Sequence, residues 1–279
     1  MSKFILSLLL VTSGLGISTA HAKELVNLPV PYISEAPDGL MVKPWNNSCE
    51  EASTAMLDEY YAGNRDKKTA KTKAKKSILR YVEIENKVFG YNGNTNAAEM
   101  IKIINEYSMY FEAIIKINPT LDDIKNELTA DRPIIALLYG KNLNNPRIQF
   151  SRSGSYYHTF VIKGFDDETE EFIVNDNGDF TKGLDLRYKY DTILGALRDY
   201  ALRDYNHKTQ LTEKPATVLF TSQRMLVKTV GNNKIYLIKD NKKSYVSSPA
   251  VFKTRGWKWS FVQTVSKTWL EKFQSGPAI

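Results

Sequence analysis

The sequence predicts an α+β protein, helices first and strands second, ending in a small β-rich module. Three observations carry this prediction. Between residues 49 and 128 apolar residues recur at helical spacing, as in Ala52, Met56 and Tyr60. After Asp131 the chain turns to apolar runs bounded by turn residues. From about residue 222 the composition shifts again, toward lysine and tryptophan. Helices followed by strands is the α+β order.

Each element has its own signal. "ELVNLPVPYISEAPDG" reads as an extended segment entering a turn at Pro37, Asp38 and Gly39. The helix after Cys49 carries Glu50 and Glu51 in its first turn, where the positive end of the helix dipole favours acids. The lysine-rich stretch "NRDKKTAKTKAKKSILRYVEIE" reads as a solvated helix face or loop. It lacks the interleaved aromatics of a nucleic-acid surface, so no nucleic-acid partner is expected. Asn96 and Glu99 fit a capping box ahead of the stripe Met100, Ile103, Ile104 and Tyr107. Thr120 caps a third helix with Ile124 and Leu128 inward. Residues 132–140, "YYHTFVIKGFD" and "EEFIVNDNGD" read as strands, a helix is expected near "YDTILGALRDYALRDY", and the strand "ATVLF" closes the domain. In the tail, "KIYLI" and "KSYVS" flank "KDNK", a hairpin signal. Phe252, Trp257, Trp259 and Trp269 are expected to form its small core.

Residues 1–22 have the form of a signal peptide: Lys3, an apolar run from Phe4 to Ile17, and small residues at Ala20 and Ala22. Cleavage near Ala22 would export the protein to a secreted, periplasmic or cell-surface location. No later run is apolar for the roughly 20 residues a membrane helix needs. The expected division is a signal peptide at 1–22, a larger domain at 23–221 and a basic, aromatic module at 222–279. The formal charge is +7, but residues 222–279 hold eleven lysines and arginines against Asp240 and Glu271, leaving 23–221 at about −3. Charge speaks to association, and the module is a candidate for contact with an anionic envelope polymer.

An exported chain with one cysteine has no disulfide to make within itself, so Cys49 is either buried and inert or used. A thiol attacks as thiolate, and a helix N-terminus with a nearby imidazolium favours that form. Of the three histidines, His21 leaves with the signal peptide and His207 sits in a polar loop. His158 opens the strand "HTFVIKG", where its ring can sit at a sheet edge facing a cleft. A third group must orient the imidazole; Asp176 stands 18 residues after His158, with Asn175 and Asn177 as near alternatives. Asn46 and Asn47 are the side-chain donors available for an oxyanion hole. One cysteine and two distant histidines give poor support for a metal site, and no cofactor motif occurs.

Five ordered blocks, "VPYISEAPDG", "NNSCEEAS", "RPIIALLYGKNLNNP", "SYYHTFVIKGFD" and "FIVNDNGD", resemble the bacteriocin-leader-processing (double-glycine peptidase-like) papain-fold cysteine peptidases, in particular their exported relatives outside transporters. The resemblance spans roughly residues 26–200. It implies a papain-like fold with N-terminal helices packed on an antiparallel sheet. It also implies hydrolysis of a peptide or protein substrate by Cys49 as nucleophile, His158 as base and Asp176 as orienting acid. Two positions depart from the family pattern: Glu35 stands where many relatives place the oxyanion glutamine, and Asn177 replaces a proline often found after the acid. A catalytically decayed binding protein of the envelope, and acyl transfer to an amine, are the alternatives that the same residues allow.

Overall fold

A computed structural model describes residues 23–148, 156–200, 214–239, 241–255 and 257–279. The signal-peptide expectation and His207 lie outside the described residues, as does the end of the helix expected over 190–205.

The described residues begin with a short strand, β1 (Leu25–Asn27), and a 3-10 turn (Trp45–Asn47), then run through three helices: α1 (Cys49–Tyr61), α2 (Lys71–Phe89) and α3 (Ala97–Tyr107). The lysine-rich stretch is helical because Ala74, Ile78, Tyr81, Val82 and Glu85 fall on one buried face, leaving the lysines outward. Asn96 and Glu99 make the expected capping box. After α3 comes β2 (Phe111–Ile117), a strand not anticipated from the sequence, then α4 (Leu121–Thr129), capped by Thr120. The remaining strands of the first sheet are β3 (Ile134–Tyr139), β4 (Tyr157–Asp166), β5 (Glu171–Asn175), β6 (Leu186–Lys189) and β7 (Thr217–Gln223), with α5 (Tyr190–Ala196) between the last two.

The strand order is β2-β7-β3-β4-β5-β6, with β1 added beside β4. Every pair is antiparallel. All six residues of β3 are buried, as its continuous apolar run requires. Met56, Leu57, Ile78 and Ile104 of the helices meet Ile135, Leu137, Phe160 and Val161 of the sheet in one core. At about 25 cal/mol per Å² of apolar surface buried, such a core dominates the stability of the domain.

A second sheet follows after the single residue Arg224. It contains β8 (Met225–Thr229), β9 (Tyr236–Lys239), β10 (Lys242–Tyr245), β11 (Val262–Val265) and β12 (Gln274–Ser275), in the order β11-β8-β9-β10-β12. The expected hairpin is β9 and β10. Two short helices, α6 (Pro249–Thr254) and α7 (Lys267–Leu270), cover it. The tail core differs from expectation: alternation along β8 sends Leu226 to one cluster with Phe252, Trp257 and Phe261, and Met225 and Val227 to another with Ile238 and Leu270. Trp259, expected inside, is 58 % exposed, because the 3-10 turn Trp259–Phe261 turns Phe261 inward in its place. Its ring lies flat on Phe252, with centroids 4.1 Å apart.

Arg224 is itself buried. Its guanidinium donates to the Asn105 and Ser108 carbonyls at 3.1 and 2.9 Å, and its backbone N–H to Tyr110 O at 2.8 Å.

Candidate active site

Cys49 is the first residue of α1, and only 4 % of its surface is exposed. The helix start is held by its neighbours. Ser48 Oγ donates to Pro44 O at 3.0 Å, and Ser53 Oγ to Cys49 O at 2.8 Å.

His158 is the second residue of β4 and is buried. The sheet-edge position expected for it is wrong in one respect, since β4 is an interior strand with β3 on one side and β5 on the other. What opens at His158 is the end of β5. Its ladder with β4 closes at Val161 opposite Asn175, so the next residues, Asp176 to Gly178, stand beside His158 unzipped from the sheet. Asp176 Oδ1 accepts from His158 Nε2 at 2.8 Å. Gly178 then passes so close that an added Cβ would lie 2.9 Å from His158 Cε1.

Asp176 is buried and well satisfied. Oδ2 accepts from the Tyr188 hydroxyl at 2.8 Å, Oδ1 also accepts from Gly178 N–H at 3.2 Å, and Asn145 Nδ2 donates to Tyr188 Oη at 2.9 Å. The Tyr188 ring stacks parallel to Phe160, which meets His158 edge-on. Burial alone would depress the imidazole, but the charge and hydrogen bond of Asp176 outweigh it, and His158 ends above its ordinary value.

Asn177 joins the two halves of the site. Its Nδ2 lies 2.9 Å from Cys49 O on α1, 2.9 Å from Ser53 Oγ and 3.0 Å from Thr159 O on β4. A proline at this position could form none of these bonds. The departure from the family pattern thus has a structural use.

The candidate oxyanion donors separate. Asn46 is exposed and Asn47 half-buried in the 3-10 turn before Cys49. Glu35 is buried inside the site, with Oε1 3.4 Å from the position of that added Gly178 Cβ and its backbone N–H on Asn177 O at 3.1 Å. Burial pushes its carboxyl up to about 7, against the pull of His158 and with the repulsion of Asp176 and Glu50.

Two site residues had no signal beyond position. Tyr188 lies in a strand that the sequence did not announce. Glu50 was visible only as a first-turn acid. Here it is buried, and its Oε2 lies 2.9 Å from the Cys49 thiol, which donates to it. Burial, followed by the charges of Glu50 and Glu35, pushes that thiol well above its ordinary value.

A comparison with protein families matches residues 27–210 to the Peptidase_C39 like family. The chain belongs to that family. Membership agrees with the α+β class and the antiparallel sheet, and it points to cysteine peptidase chemistry. Among solved structures the chain is similar to a candidate C39-like peptidase from Bacillus anthracis, at 14 % identity and a TM-score of 0.43, over 71 % of this chain and 97 % of that one. No curated protein matches the sequence. Among the described residues no cluster of acids, histidines and cysteine could hold a metal ion, and no helix is long and apolar enough to cross a membrane.

Proposed function

We propose that the protein is an exported cysteine peptidase in which Cys49, His158 and Asp176 cut a peptide bond through a thioester acyl-enzyme. The observation that carries this reading is the 2.8 Å bond from His158 Nε2 to Asp176. It fixes the imidazole through one ring nitrogen on a carboxylate, which is the orientation a general base requires. In the first step the S–H bond breaks, His158 takes the proton, and the sulfur pair forms a bond to the carbonyl carbon. His158 then gives that proton to the leaving amine, and water releases the acid from the thioester. Asn46, Asn47 and a protonated Glu35 are the side chains offered to the oxyanion, together with the Cys49 N–H at the start of α1.

The test is hydrolysis of a mixed peptide pool, read by mass spectrometry, for wild type against Cys49→Ala. Cleavage that persists in the variant would remove the reading. A catalytically decayed binding protein is the second reading, favoured by the unusually acidic surroundings of the thiol. It predicts equal, null cleavage by both forms with retained peptide binding. A leader peptide ending in small residues is the first substrate to try, on the resemblance alone.

The expected division into 23–221 and 222–279 would serve a division of labour in which the basic part holds the enzyme at an anionic envelope polymer. A 500 Å³ groove lined by Lys228, Asn233, Tyr245, Phe252 and Trp259 is the place we assign to that contact. Retention of the full chain on an anionic polysaccharide resin should fall steeply between low and physiological salt. Salt-independent retention would argue against a charge-driven contact.

A further inference from the structure

The Cys49 thiol has a single proton, and it points to Glu50. For an enzyme that needs a thiolate this is an adverse neighbour, because a carboxylate 2.9 Å from sulfur opposes a second negative charge. The contact is built and not incidental. Glu50 is 2 % exposed, and its other oxygen, Oε1, accepts from Thr95 N–H at 2.8 Å. The Thr95 carbonyl in turn accepts from the Tyr157 hydroxyl at 2.9 Å, so the segment before α3 is clamped between α1 and β4. With Oε1 fixed, the carboxylate can turn only its Oε2 toward sulfur.

We propose that Glu50 is a positioning residue that governs the proton on Cys49: ionised, it keeps the thiol as its donor and in the neutral form; protonated, it stops opposing the thiolate and releases the sulfur for the exchange with His158. The regulation rests on the peptidase reading for its purpose but not for its measurement. The titratable groups around the pair are Glu51 on α1, Glu35 on the segment after β1, Tyr157 and His158 on β4, Glu85 on α2 and Asp176 after β5. All but His158 are acids, so lowering the pH can only reduce the negative charge facing the sulfur. Burial lifts Glu50 above the ordinary carboxylate range, which favours the protonated form that releases the sulfur. The restraint on Cys49 eases as the pH falls.

Cys49 is the sole cysteine, so alkylation by iodoacetamide, followed by intact mass, reads this one sulfur. Glu50→Gln removes the charge while its amide oxygen still accepts from Thr95. The variant should alkylate at least tenfold faster than wild type at pH 7.5, and the ratio should shrink toward one as the pH is lowered. Equal or slower alkylation, or a ratio that does not change with pH, overturns the proposal. Should Glu50→Gln melt at a lower temperature than the assay, Glu50→Asp serves instead. It keeps the charge but draws it back by one methylene, and an intermediate acceleration is expected; none counts against the idea. Faster alkylation without peptide cleavage at any pH would leave the Glu50 assignment standing and remove the peptidase.

Discussion

Asn177 reaches from the loop after β5 to the carbonyl of Cys49, 2.9 Å away, so the residue after Asp176 also fastens the start of the helix that carries the thiol. One amide group faces three acceptors, Cys49 O, Ser53 Oγ and Thr159 O, while its own Oδ1 has no partner among the described residues.

Asn177→Ala removes the amide that ties the loop to α1 and β4, although Cys49 O keeps its bond from Ser53 Oγ. At about 1–3 kcal/mol for a buried polar group that loses a partner, a loss of about 1–3 kcal/mol in unfolding free energy is expected in urea. Asn177→Asp, of equal size, should rescue nothing, because it brings acceptors where donors are needed. Stability of the aspartate variant equal to wild type would refute this account.

Asp176→Asn removes the charge that holds His158 above its ordinary value, so burial then dominates and the imidazole should titrate lower than in the wild type. The ring resonances of His158, followed by NMR across pH, measure this directly. Peptide hydrolysis should fall by roughly 10²–10⁴-fold, the cost of an unoriented imidazole.

The buried acids make the fold sensitive to alkali. Glu35 is raised to about 7 and Glu85 to about 8, both chiefly by burial. An acid raised in the folded state holds its proton there after the unfolded chain has lost it, so stability is greatest below the unfolded value and declines as pH climbs through the folded one. His158, also raised, acts in the same direction. The thermal midpoint should be lower at pH 8 than at pH 5. At about 1.4 kcal/mol per pKa unit, Glu35 alone accounts for up to about 3 kcal/mol, and Glu35→Gln should flatten part of the profile. A midpoint that rises with pH would contradict the burial of these carboxyls.

Gly178→Ala places a methyl 2.9 Å from His158 Cε1 and 3.3 Å from Nε2, inside van der Waals contact. Either the imidazole or the loop must shift, breaking the alignment with Asp176. Hydrolysis should drop about 100-fold with a modest change in melting temperature. Gly195→Ala is the control, since a Cβ there meets nothing within 4 Å; the two variants behaving alike would show that the close passage of Gly178 does not matter.

Local signals are legible in the sequence where a single element contains its own cause. The capping residues Asn96 and Thr120 and the apolar run of β3 needed no distant partner to be recognised. β2 escaped because it is an edge strand: Ile114 and Ile117 are exposed, so its apolar residues do not alternate cleanly. Trp259 was misplaced because composition says that a small module needs aromatic mass, not which ring a 3-10 turn will face inward. At the site, the pairing of His158 with Asp176 was legible as a spacing of one hairpin. Tyr188 and Thr95 were not, because they meet Asp176 and Glu50 only through register and long-range packing. Glu50 stands beside Cys49 in the sequence, but a first-turn acid is accounted for by the helix dipole, and nothing local shows what its side chain touches.

Arg224 is the only residue between β7 and β8, and it is bolted to the end of α3 and the segment after it by both side chain and backbone. The second sheet therefore hangs on the first as a bracket and not as a leash. If the basic module grips a polymer strand as proposed, the candidate site is joined to it through Arg224 with no linker to swing. The reach of a peptidase along its support would then be set by the length and slack of its substrates.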